Sequence, residues 1–206
     1  MFVASPLSRA LVSAVAVTAL AAPSLASPAT DLRAVESHLA GTQSLVSQFT
    51  QTDGKGRQLT GTLSLKRPGR IRFEYGRGAN MLLVANGTTL NFIDYDVGQK
   101  SSWPVAKSPL AVLLSANPDL GRIARIMPSN DPRVVVVRAR DARRPEFGTL
   151  VLAFTRNPAG PAGLELEGWT AIDAQNKTTK VRLDGQRYNV PVAESAFTYA
   201  EPKRKR

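Results

Sequence analysis

The sequence predicts an α+β fold that is mainly β: a strongly curved antiparallel sheet, an unclosed half-barrel, with helices over its concave side. Three observations carry this. Apolar residues recur at intervals of three and four only near the start of the chain and once, briefly, in the middle. From Leu59 onward the apolar period is two, in short runs separated by clusters of Gly, Pro, Asn and Asp. Those runs amount to roughly eight to eleven strands, and a twisted sheet of about ten strands must curl or close. Two helices are too few to cover both faces, so they are expected on one.

The first 26 residues carry one early cation, Arg9, then the apolar run "ALVSAVAVTALAA", then "PSLAS", in which Ser24 and Ala26 flank Leu25. Small residues in that arrangement mark a secretory cleavage site, so residues 1–26 read as a signal peptide cut after Ala26. The run is short for a membrane span, and no stretch of eighteen or more apolar residues follows it. The chain has no cysteine, which excludes disulfides, thiolate metal sites, a Cys nucleophile and a lipidated cysteine after the signal. Residues 27–206 suffice for one domain with its own core, and no internal repeat or low-complexity linker divides them. The net charge of +11 raises nucleic acid as a partner, but an exported protein rarely meets it. The alternatives are an anionic membrane surface, an acidic partner protein or simply a soluble cationic face. The closing residues 201–206, "EPKRKR", read as a disordered basic tail.

The elements follow in order. "ATDLRAVESHLAGTQSLVSQFTQT" places Leu32, Val35, Leu39, Leu45, Val46 and Phe49 at helical spacing, with Asp31 near the start and Gly41 as a kink or a break into two helices. His38, the single histidine, is expected to be exposed on that helix. "LTGTLSLKRPGRIRFEYG" alternates Leu63 and Leu65 with Ile71, Phe73 and Tyr75 around the turn Arg67-Pro68-Gly69-Arg70, a hairpin. "MLLVANGTTLNFID" is a second hairpin about Asn86-Gly87, and "QKSSWPV" a further strand. In "KSPLAVLLSANPDL", Ser108 is expected as the N-cap and Pro109 as the first residue of a short helix carrying Leu110, Leu113 and Leu114. Four more strands lie in "RVVVVRAR", "GTLVLAFTR", "LELEGWTAID" and "KTTKVRLDGQRYN". An apolar sheet face under an apolar helix face makes either a filled core or a cavity, and periodicity does not choose between them.

The motifs "LVSQFTQ", "GTLSLKRPGRIRFEY", "LLVANGTTLNFIDYD" and "SPLAVLL", with weaker matches in "WTAIDAQNKTTKVRL" and "VPVAESAFTY", stand in the order found in a known family. On them the chain resembles the periplasmic carriers that ferry lipoproteins to the outer membrane, the LolA-like family. The resemblance implies a half-barrel with helices as a lid over a hydrophobic cavity, and no covalent chemistry. It implies acylated lipoproteins as cargo, an inner-membrane ABC-type release complex as donor, and an outer-membrane receptor lipoprotein or the outer membrane itself as acceptor, with the carrier a monomer. Arg67 matches the arginine that in the family holds the lid shut through backbone carbonyls of the covering helices. The residues expected to line the cavity are Leu45 and Phe49 on the helix, Leu63, Leu65, Ile71, Phe73, Leu83, Leu90 and Phe92 on strands, and Leu110, Leu113 and Leu114 on the short helix. Trp103 and Trp169 are expected at the rim or anchoring the sheet. The charged arm Arg70, Arg72 and Glu74 is expected to face water or a partner protein.

Enzymatic motifs are missing. There is no G-x-S-x-G, H-E-x-x-H or P-loop, so no catalytic residue, metal or cofactor is expected. Asp94 and Asp96 read as a turn that ends a strand. A lipid-binding or envelope-sensing module on the same scaffold is the alternative to a carrier.

Overall fold

The computed structural model describes residues 27–203. The signal peptide expected at residues 1–26 lies outside them, as do residues 204–206.

One helix, α1 (Pro28–Gly41), leads into β1 (Ser44–Asp53), β2 (Gln58–Lys66), β3 (Arg70–Tyr75), β4 (Met81–Asn86), β5 (Thr89–Asp94) and β6 (Gln99–Pro104). A short helix, α2 (Ala111–Leu114), precedes β7 (Ala124–Met127), β8 (Val134–Ala139), β9 (Thr149–Arg156), β10 (Leu164–Ile172) and β11 (Thr178–Tyr188). All eleven strands form one antiparallel sheet in the order β6-β5-β4-β3-β2-β1-β11-β10-β9-β8-β7. The chain walks from β1 outward to the edge strand β6. It then crosses to the opposite edge, β7, and walks back until β11 pairs with β1. The crossing segment, residues 105–123, carries α2.

The inner face is one continuous core. Leu45 and Phe49 of β1, Leu63 and Leu65 of β2, and Ile71 and Phe73 of β3 pack with Leu152, Phe154, Leu166, Trp169, Val181 and Leu183 from the far side of the sheet. Val35 and Leu39 of α1 and Leu113 and Leu114 of α2 close over them. Phe73 meets both Phe49 and Trp169 edge-to-face, at 5.1 and 6.0 Å between ring centroids. Trp169 therefore anchors the core, while Trp103 on the edge strand is 37% exposed.

The first helix is shorter than its spacing predicts. α1 stops at Gly41, and Leu45 and Phe49 sit on β1. The inner face of β1 is Leu45, Ser47 and Phe49, so a small polar residue at the middle position hides the alternation. Thr42 ends the helix by donating both its backbone N–H and its hydroxyl to the His38 carbonyl, at 3.0 and 2.7 Å. Ser27, not Asp31, caps the start, accepting from the Thr30 N–H. His38 is buried rather than exposed: it stands three residues after Val35, on the same helix face. In the second helical stretch, the Ser108 hydroxyl donates backward to the Val105 carbonyl, and regular helix begins only at Ala111, after Leu110.

The convex face is also partly covered. Phe197 packs on Leu82, Val84 and Ile93, flanked by Val192, Ala196 and Tyr199. Arg70 and Arg72, expected to face water or a partner, hold this C-terminal segment. Arg70 and Lys66 pair with Glu194, at 3.0 and 2.7 Å, and Arg72 donates to the Thr198 carbonyl at 3.0 Å. Glu201, in the stretch read as a tail, pairs with Lys100.

Gly61 in the middle of β2 leaves no room for a side chain: a Cβ there would stand 2.1 Å from the Glu74 carbonyl oxygen and 2.8 Å from the Phe49 ring edge. Gly61→Val is expected to destabilise the fold by about 1–3 kcal/mol, read as a lower urea midpoint.

Candidate functional site

The two helices are fastened to the sheet at separate points. At the α2 end, the hairpin turn between β2 and β3 reaches under the last turn of the helix. A helix leaves its final carbonyls without intrahelical partners, and here the turn supplies them. The Arg67 Nε–H donates to the Leu113 carbonyl at 2.7 Å, and the Gly69 N–H donates to the Leu114 carbonyl at 2.9 Å. The backbone N–H of Arg67 donates to the Gln43 carbonyl, just beyond α1, at 2.9 Å. Gly69 has φ +73°, and a Cβ on it would stand 2.7 Å from Gly87 Cα in the neighbouring hairpin turn. Only glycine fits there.

Arg67 is 7% exposed, and burial pulls its guanidinium down to about 10. Its Nη1 is buried and has no hydrogen-bond partner among the described residues. A guanidinium held in this state favours any rearrangement that returns it to water or to more acceptors.

At the α1 end, three contacts fix the helix. Arg156 Nη2 donates to the Asp31 carboxylate at 2.6 Å. Asn189 takes the Gln43 N–H at 2.8 Å and donates to the Gly41 carbonyl at 3.0 Å. His38 Nδ1 donates to the Pro161 carbonyl at 2.9 Å while its ring meets Phe154 and Tyr188 edge-on. None of these partners was legible in the sequence except through the three-residue spacing of His38 from Val35.

Of the twelve residues expected to line a cavity, Leu45, Phe49, Leu63, Leu65, Ile71, Phe73, Leu90, Leu110, Leu113 and Leu114 are buried in the main core. Leu83 is half-buried against that core, and Phe92, its partner in the β4–β5 register, is half-buried outside it. In this state the concave face is filled by packed side chains. An open pocket of about 680 Å³ lies instead between the crossing segment and the ends of β7–β9. Val105, Val112, Leu114, Leu120, Ile123 and Leu150 make its apolar floor, and Leu114 is the one residue it shares with the expected set. No group of three or more His, Cys, Asp or Glu among the described residues could hold a metal ion. Asp94 accepts the N–H groups of Asp96 and Val97 and so ends β5 in a turn.

Burial pulls the His38 imidazole below its ordinary value, against the opposing hydrogen bonds to the Pro161 and Leu164 backbone. Arg67 adds to the depression and Glu165 opposes it. The unfolded chain therefore takes up a proton near pH 6.5 that the folded one resists. Stability from this group is complete above about pH 6.5 and declines as pH falls through the lower folded value. His38→Gln is expected to lower the thermal midpoint at neutral pH and to flatten its fall between about pH 7.5 and 5.5.

The family model for the outer membrane lipoprotein carrier protein LolA matches residues 40–200. An outer-membrane lipoprotein carrier protein of Cupriavidus taiwanensis is 30% identical over 209 residues, covering 95% of this chain and 96% of the relative. Among solved structures, a LolA superfamily protein from Nitrosomonas europaea aligns with a TM-score of 0.43 at 9% identity, over 84% of this chain and 98% of that one. The Pseudomonas aeruginosa MucA/MucB complex aligns with a TM-score of 0.48 at 14% identity, over 82% of this chain, which spans 60% of the matched one. With a family model over most of its length and a 30% identical relative over nearly all of it, the chain belongs to the LolA family of outer membrane lipoprotein carrier proteins.

Proposed function

We propose that the protein is a periplasmic carrier that takes the acyl chains of lipoproteins released from the inner membrane and delivers them to the outer membrane. It works as a monomer and makes or breaks no covalent bond. Its donor is an ABC-type release complex, and its acceptor is a receptor lipoprotein or the outer membrane itself. The observation that carries the reading is the fastening of α2 by Arg67 over an apolar concave face.

The energetics suit a carrier. Each enclosed CH₂ gains ~0.8 kcal/mol over water, so a lipid-length chain gripped along its whole length would not be released. The same apolar face packs against α1 and α2. Cargo must displace those contacts and separate Arg67 from Leu113, so the cost of opening offsets part of the gain. The cavity would then be lined by the residues now packed together: Leu45, Phe49, Leu63, Leu65, Ile71, Phe73, Leu83, Leu90 and Phe92 on the sheet, and Leu110, Leu113 and Leu114 on the lid. The partner-free Nη1 of Arg67 keeps the closed state from being too stable to open.

The direct test is intact mass spectrometry of the protein isolated from the periplasm of cells making a tagged lipoprotein. A one-to-one complex with the acylated lipoprotein is expected, and an empty protein under conditions that load a known carrier overturns the reading. For the closure, Arg67→Leu removes a charged donor whose hydrogen bond is worth ~1.5–3 kcal/mol. Opening should become easier and release to acceptor membranes slower, by roughly tenfold or more. Release at the wild-type rate would remove Arg67 from the mechanism.

A further inference from the structure

The open pocket beside α2 exists with the helices closed, and its chemistry differs from that of the packed core. Its lining is largely apolar: Val112, Ile123 and Phe147 reach its surface, over the buried Leu114, Leu120 and Leu150. Its rim carries Arg122, Arg140 and Arg144 against two carboxylates, Asp119 and Asp141. Asp141 is already engaged, pairing with Arg144 Nε at 3.2 Å and accepting the Arg143 N–H at 3.0 Å. Arg144 also lies over the Phe147 ring, 5.1 Å from its centroid. Arg122 and Arg140 are exposed, and neither forms an ion pair among the described residues. Their backbones run side by side, since the Arg140 N–H donates to the carbonyl of Ile123 at 2.8 Å, and Arg140 also borders a second pocket with Arg138 and Asp173.

We propose that this pocket binds an anionic phospholipid, with an acyl chain along the half-buried Val112, Ile123 and Phe147 and the phosphodiester on Arg122 and Arg140. The volume of about 680 Å³ is that of a small-molecule site. A planar guanidinium meets two phosphate oxygens at once, and two such forks beside an apolar floor match an amphiphile with an anionic head. A neutral acylglycerol would leave Arg140 unanswered and Arg122 with only the nearby Asp141 carboxylate, and inorganic phosphate would leave the apolar lining empty. The inference does not rest on the carrier reading, since the pocket lies beside α2 and outside the packed concave face.

The test uses vesicles of equal phosphatidylglycerol and phosphatidylcholine with matched acyl chains. Attraction of the basic protein to the membrane is then common to both lipids, and only headgroup contact separates them. The lipid that leaves with the protein is read by native mass spectrometry. Phosphatidylglycerol is expected over phosphatidylcholine by about tenfold or more, and the Arg122→Gln, Arg140→Gln double variant should fall to near parity. Both side chains are exposed, so the fold should survive; each single variant, expected to lose part of the preference, keeps the test decisive if the double variant does not fold. Parity in the wild type, an undiminished preference in the variants, or no extracted lipid overturns the proposal. Lipoprotein loading measured on the same wild-type protein separates the two readings. Anionic lipid without lipoprotein overturns the carrier alone, and lipoprotein without anionic preference overturns this inference alone.

Discussion

An antiparallel sheet of eleven strands with an apolar inner face has to hide that face, and this one does so without closing on itself. β6 and β7 are both edges, and the chain joins them by a segment that crosses from one to the other. That crossing is the constraint on which the rest depends. It places α2 over the inner face, it makes the helix short, and it leaves the last carbonyls of that helix to be satisfied by something outside it. The hairpin turn at Arg67 and Gly69 is what satisfies them. A buried guanidinium on a backbone carbonyl is a costly fastening, stronger than a neutral hydrogen bond yet burdened by desolvation. Such a contact holds a cover in place without making its removal prohibitive.

The two helices are held by different chemistry. α1 is tied down by an ion pair at Asp31, by the Asn189 side chain at its end, and by the His38 ring wedged against Phe154 and Tyr188. α2 is a single helical turn held by Arg67, by the Gly69 backbone and by its own leucines. The firmer element covers the β7–β10 side and the lighter one lies beside the open pocket. In the proposed carrier, opening would cost least where fewest contacts break, on the α2 side.

The positive charge is used unevenly. On the convex face Lys66, Arg70, Arg72 and Lys100 hold the C-terminal segment against the sheet, so that part of the basic surface is structural. At the pocket rim, Arg122 and Arg140 do no comparable work within the chain. Net charge alone does not separate these roles. The separation follows from which cations have carboxylates or carbonyls folded onto them.

Much of the architecture was legible because strand alternation and turn chemistry are local. Leu63 and Leu65 against Ile71 and Phe73, the Pro-Gly turn between them and the Asn-Gly hairpin determined the strands, their pairing and the inner face. The motif order determined the family. The errors came where two periods fit the same residues: Leu45, Val46 and Phe49 suit a helix or a strand until Ser47 is known to point inward. The hairpin reading of "MLLVANGTTLNFID" did not show that its first strand is covered on both faces, Leu83 by the main core and Leu82 and Val84 by Phe197. Tertiary structure alone decided that the sheet's inner face is filled, that the open pocket lies beside α2, and that Arg67 faces Leu113. Each of these depends on residues brought together across the crossing between β6 and β7, and local sequence pattern carries no information about contacts made at that range.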